Sequence, residues 1–134
     1  MTNSVGVLKQ VANDFLEIGS LAGVGFVWPV LYETLDANGN PTGPYDLTGK
    51  TFALELCEGY PESPGAVLYR FDETPADIGS VTVAAPAAGV ALLRITPAGA
   101  AEIAVRDYAF RWKVTDSTGW VSSTVHGRWR HRAA

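Results

Sequence analysis

Hydrophobic and polar positions along this chain follow a two-residue period. In residues 51–57, TFALELC, Phe52, Leu54 and Leu56 fall on one side of an extended backbone, with Ala53, Glu55 and Cys57 on the other. Successive side chains of a strand point to opposite faces of a sheet, so this segment predicts a strand with one apolar and one mixed face. In GFVWPVLYE, residues 25–33, Phe26, Trp28, Val30 and Tyr32 share a face opposite Val27, Pro29, Leu31 and Glu33. Pro29 has no N–H for a ladder, which places this strand at an edge or a bulge. RDYAFRWKVTD, residues 106–116, turns Tyr108, Phe110, Trp112 and Val114 inward and Ala109, Arg111, Lys113 and Thr115 outward. WVSSTVHGRWRHR, residues 120–132, puts Val121, Ser123, Val125, Gly127 and Trp129 on one face, with Gly127 a candidate bulge.

The connections read as turns. Residues 35–49, LDANGNPTGPYDLTG, hold Asn38-Gly39 and two prolines, a cluster that breaks both helix and strand. Residues 66–71 form a short strand, and residues 80–84 and 90–95 form the arms of a hairpin around Ala-Pro-Ala-Ala-Gly. Thr96-Pro97, followed by small residues, predicts one helical turn, because proline suits the first turn of a helix. A first sandwich strand is predicted near residues 15–18, preceded by an N-terminal arm over residues 1–13. In a helical reading of that arm Val7, Leu8 and Val11 fall on one side. About seven short strands at turn spacings near ten residues predict an antiparallel β-sandwich over residues 14–134.

Composition narrows this picture. A chain of 134 residues is one domain able to bury a core without disulfides or metals. Hydrophobic residues make up 47% against 18% charged, which excludes a disordered chain. The N-terminal stretch has no long apolar run, so neither a signal peptide nor a transmembrane segment is expected. With one cysteine, Cys57, no internal disulfide forms, and the expected environment is a reducing cytoplasm or a particle assembled there. The net charge of −4 is unevenly spread. Residues 105–134 hold Arg106, Arg111, Lys113, Arg128, Arg130 and Arg132 against Asp107 and Asp116, whereas residues 1–104 hold four basic and twelve acidic residues. Such asymmetry steers docking against a complementary surface. The acidic total, with a pI near 5.0, points away from nucleic acid.

Candidate chemistry is sparse. His126 and His131 read as surface or interface residues, and one cysteine gives no metal-ligand spacing; no catalytic, metal or cofactor site is expected. DANGNP, residues 36–41, begins like a calcium loop, but Pro41 stands where that loop needs Gly and Leu47 where it needs Glu, leaving an Asx-type turn. Cys57 reads as a buried structural thiol, and Glu58, Glu62, Asp72 and Glu73 read as solvated turn residues. Among the aromatics, Trp28 and Trp112 belong to the core. Trp120, after a turn, and Trp129, flanked by Arg128 and Arg130, read as an exposed contact surface, since Trp and Arg are enriched at interfaces. The rival reading is a carbohydrate-binding module with Trp120, Trp129 or Tyr60 exposed on one face.

DANGNPTGPYDLTGKTFALELCE, followed by the Gly-containing hairpin, the Thr96 helical turn, the strand from Tyr108 to Asp116 and the last strand from Gly119, resembles the immunoglobulin-like domain of phage baseplate and tail proteins. This is the family of the baseplate upper protein N-terminal domain, and the resemblance covers residues 14–130. It implies an immunoglobulin-like sandwich of about seven to eight strands with one short helical turn. It also implies a structural, non-enzymatic role in a virion assembled in the bacterial cytoplasm. The implied partners are other virion proteins and copies of the same chain in a homo-oligomeric assembly, without cofactor, nucleic acid or membrane. In the family a coiled coil or receptor-binding region often follows this domain. Here the sequence stops at Ala134, so the expectation is a small connector, baseplate or decoration protein. The expected contacts are Val7, Leu8 and Val11 of the arm, docking by strand or helix addition, together with Trp120 and the basic tail of Arg128, Trp129, Arg130 and Arg132.

Overall fold

Tyr108, Phe110, Trp112 and Val114, the inward residues of one strand, are all buried, and the rest of the architecture is arranged around them. The computed structural model describes residues 3–7 and 15–134, apart from the side chains of 3–7 and 122–124. Its strands are β1 (Asn3–Val7), β2 (Phe15–Leu21), β3 (Phe26–Leu31), β4 (Glu33–Leu35), β5 (Pro41–Pro44), β6 (Thr51–Tyr60), β7 (Ser63–Phe71), β8 (Gly79–Thr82), β9 (Val90–Ile95), β10 (Arg106–Thr115) and β11 (Val121–Arg132). A short helix, α1 (Pro97–Glu102), lies between β9 and β10.

Five strands in the order β2-β11-β10-β6-β7 form one sheet, and β3-β9-β8 form the sheet facing it. The chain is therefore an all-β sandwich of eight strands. β1, β4 and β5 make a separate three-stranded sheet beside it. β10 flanked by β11 and β6, opposite a sheet centred on β9, is the strand order of immunoglobulin-type sandwiches. One pair departs from antiparallel: β2 runs parallel to β11. Pro29 lies in β3, an edge strand, where its missing donor leaves no ladder bond unmade.

The core is aromatic. Trp112 stacks on Phe52 with centroids 5.7 Å apart and tilts against Trp28 at 5.7 Å. Tyr108 donates its hydroxyl to Ala104 O at 2.5 Å, the tyrosine corner of such sandwiches. Leu47 is buried in the Asp46–Gly49 corner, where Asp46 Oδ1 accepts from Thr48 N at 3.0 Å and Gly49 has φ +81. The Asx turn also forms, with Asp36 Oδ1 accepting from Asn38 N and Asn40 N, both at 2.9 Å. In α1, Thr96 Oγ1 caps Gly99 N at 3.0 Å.

The apolar and mixed faces of β6 are as expected, and two expectations for β11 change. Both faces of β6 are buried, because the mixed face carrying Glu55 and Cys57 lies beneath long side chains from its neighbours. The bulge in β11 falls at Thr124, where register slips from Trp112↔Val125 to Lys113↔Ser123. It reverses the alternation and leaves Val121 exposed opposite Thr115. Gly127 is in regular register, and its smallness serves a close approach, since a Cβ there would meet the backbone of Leu16.

Gly127→Ala is accordingly expected to cost at least about 1–3 kcal/mol by forcing β2 away from β11, read as a lower denaturation midpoint. Burial pushes the Tyr108 phenol up to about 12 from its ordinary value of 10.0. The unfolded phenol ionises first, so the stability linked to this group is complete below pH 10 and lost as pH rises toward 12. Tyr108→Phe is expected to be about 1 kcal/mol less stable at neutral pH, with the gap closing across that window in denaturant melts.

Candidate functional site

Three places in this fold bring together groups with chemical potential. The first is buried. His131, expected at the surface, is 0% exposed, because β11 lies between β2 and β10 and continues to Arg132 as an inner strand. Its Nδ1 lies 2.7 Å from Ser20 Oγ and its Nε2 lies 2.8 Å from Ala100 O. A carbonyl only accepts, so Nε2 carries the proton and Nδ1 accepts from the serine hydroxyl. Trp129 Nε1 in turn donates to Ser20 Oγ at 2.8 Å. A serine bonded to histidine is the geometry of a nucleophile and its base. Here the orienting group is a carbonyl, the oxygen's lone pair is engaged by an indole, and burial bars a substrate. The trio ties β2, β11 and α1 together.

Trp129 therefore does not belong to the expected contact surface. It is 0% exposed and packs edge-on against Phe26 at 5.0 Å and Phe110 at 5.8 Å. The same alternation that turns Arg128, Arg130 and Arg132 outward sends Trp129 into the core.

The second place is the outer face of the five-stranded sheet, which is cationic. Glu55, nearly buried, accepts Arg70 Nη1 at 2.7 Å and Arg111 Nη2 at 2.9 Å, with Lys113 Nζ at 3.5 Å. Beside it, burial pushes the Cys57 thiol up, which keeps it protonated and unreactive. Along β11, Arg132 pairs with Asp107 at 2.8 Å and Arg130 approaches Glu17 at 3.9 Å. Arg128 has no ion-pair partner among the described residues. The Nε atoms of Arg111 and Arg130 are buried with no acceptor among the described residues. The three predicted arginines thus share one rigid face rather than a loose tail.

Trp120 is apart from them. It is 71% exposed and lies just before the start of β11, whereas the arginines occupy its far end. Its backbone is fixed by the Asp116 turn, with Trp120 N donating to Asp116 Oδ1 at 3.0 Å. The Thr118 hydroxyl, chief among these contacts, holds the Asp116 carboxyl below its usual value. Of the arm residues, Val7 ends β1, which adds to β4 of the same chain. Leu8 and Val11 lie outside the described residues.

The third place is the outer face of the β3-β9-β8 sheet, which carries an apolar patch beside exposed Arg94 and Thr82. Val27 and Leu31 of β3 are 57% and 53% exposed, and Pro29 is exposed between them. Leu92 and Val90 of β9 stand across from Pro29 and Leu31. Next to them Ala84, Ala85 and Ala88 help line a hollow of about 210 Å³. The alternation had placed Val27, Pro29 and Leu31 on one face; what it lacked was the sheet order that leaves this face uncovered.

No group of three or more His, Cys, Asp or Glu able to hold a metal occurs among the described residues. No described helix is long and apolar enough to cross a membrane. Neither the family models nor the curated proteins compared with the chain give a match. Among solved structures the chain is similar to a mutant of the SrpA adhesin from Streptococcus sanguinis, at 14% identity and a TM-score of 0.42. The likeness covers 87% of this chain and 54% of the adhesin, so the chain spans about half the adhesin's length.

Ser20→Ala would leave Trp129 Nε1 without its acceptor and His131 Nδ1 without its donor. The expected loss is about 1–3 kcal/mol of stability for each buried group left unpaired. Thermal melts of Ser20→Ala beside a surface serine control check this.

Proposed function

We propose that this chain is a structural docking module of a tailed bacteriophage or phage-like particle, working in a baseplate, tail or connector through protein–protein contacts with its neighbours. The observation that carries the reading is the uncovered apolar face of Val27, Pro29 and Leu31 beside Val90 and Leu92. A sandwich sheet with no partner usually turns polar residues to water, and contiguous exposed apolar surface marks sites of association. Pro29 guards the edge of β3 against stray strand addition, which favours docking by the face. The phage setting comes from the turn chemistry and strand order that resemble the baseplate family. The cationic face supports the same reading, because fixed arginines on a net acidic chain suit an acidic protein neighbour.

A flat sugar platform made of several aromatics finds less support. Trp129 is internal, and the two exposed rings are far apart: Tyr60 ends β6, while Trp120 lies beyond its Thr51 end.

The test is solution mass by light scattering as concentration rises. The full chain is expected to associate, and Leu31→Glu is expected to return it to a monomer at concentrations where the parent is assembled. A parent that remains monomeric throughout removes the self-assembling form of this reading.

A further inference from the structure

One cleft remains at the edge of the cationic face, with which it shares Arg70 and Lys113. At the Thr51 end of the five-stranded sheet, Asp72, Glu73 and Thr74 of the segment after β7 join strand residues in lining an open cleft of about 450 Å³, within the range of small-molecule sites. Its charges balance, with Arg70 and Lys113 facing Asp72 and Glu73. Arg70 is held in place by Glu55 at 2.7 Å and Asp72 at 3.4 Å. Glu73, expected as a solvated turn residue, uses Oε2 to accept from Phe52 N at 2.8 Å, which orients its carboxylate. Thr51 and Thr115 line the cleft, and their hydroxyls make no hydrogen bond among the described residues. Val121 supplies an apolar wall, and exposed Trp120 directly precedes it on a backbone fixed at both N and O to Asp116.

We propose that this cleft binds a neutral saccharide. Balanced charge gives no net attraction for a phosphate or sulfate, and Asp72 and Glu73 would repel one. An apolar ligand would strip water from fixed polar groups without replacing their hydrogen bonds. A polyhydroxylated ring offers donors to Glu73 and acceptors to Arg70, Lys113 and the threonines. Its C–H face suits an exposed aromatic ring, and Trp120 directly precedes Val121 of the lining. Because the donors and acceptors are already held by the fold, little ordering is needed on binding. The site lies apart from the apolar face that carries the docking reading.

A printed array of neutral and acidic oligosaccharides, followed by titration of the best neutral binder as free sugar, tests the assignment. The parent is expected to retain a neutral glycan. Trp120→Ala, at an exposed position, is expected to weaken it about tenfold, the size of a lost stacking contact. Glu73→Gln, which keeps an acceptor for Phe52 N, is expected to weaken binding as well. Leu31→Glu is expected to leave binding unchanged while it dissociates any assembly, which separates this site from docking. No retained glycan, retention of acidic glycans alone, or binding indifferent to both cleft variants overturns the proposal.

Discussion

The hydrogen bond from Trp112 Nε1 to Tyr32 Oη, 2.6 Å long and buried, holds the two halves of the molecule in register. Trp112 belongs to the five-stranded sheet, and Tyr32 sits where β3 leaves the other. A buried indole must find an acceptor or lose the hydrogen bond it had to water, so the contact fixes where the chain exits the sandwich. Tyr32 anchors that exit in two further ways. Its N–H bonds to Gly89 O at 2.7 Å, and its carbonyl accepts from Tyr45 N at 3.1 Å. One residue thus joins the opposite sheet, the turn before β9 and the return segment leading to the Leu47 corner. The small sheet of β1, β4 and β5 hangs from this point.

Strand content was legible because alternation is a local property: Phe52, Leu54, Leu56 and the inward set of β10 all face the core as their spacing predicts. Asp36, Thr96 and Leu47 were legible for the same reason, since a turn, a cap and a corner are written in a few neighbouring residues. What escaped depended on distant partners. The run Arg128 to Arg132 looks like an exposed basic tail until β2 pairs alongside it, which buries Trp129 and His131. The extra residue at Thr124 shows only against the register of β10, and no local pattern announces that Val121 changes face there. Ser20 and His131 are 111 positions apart in the chain. The proline-bearing turn cluster concealed β4 and β5, which are too short to show a period.

The outer surfaces divide the chain's charge more sharply than its sequence does. On the five-stranded sheet a single carboxylate, Glu55, gathers three cations over a strand whose both faces are covered. Much of its attraction is offset by the cost of desolvating the ions, so the cluster chiefly fixes where the guanidinium groups point. On the other sheet Val27, Pro29 and Leu31 are exposed together, with exposed Arg94 and Thr82 at the margins of the patch. The two faces therefore offer a neighbour different kinds of contact, charge-directed on one side and area-driven on the other.

The parallel pairing of β2 with β11 has a consequence for how the molecule comes into being. Seven consecutive positions of β2, Phe15 to Leu21, find their partners only in His126 to Arg132. During synthesis β2 therefore emerges early and waits unpaired until nearly the entire sequence has been made. Closure of this pair is a long-range event of the kind that slows folding. Until it happens, both long edges of β2 are open to pairing with another nascent chain, which makes this strand the point at which assembly in the cell is most exposed to error.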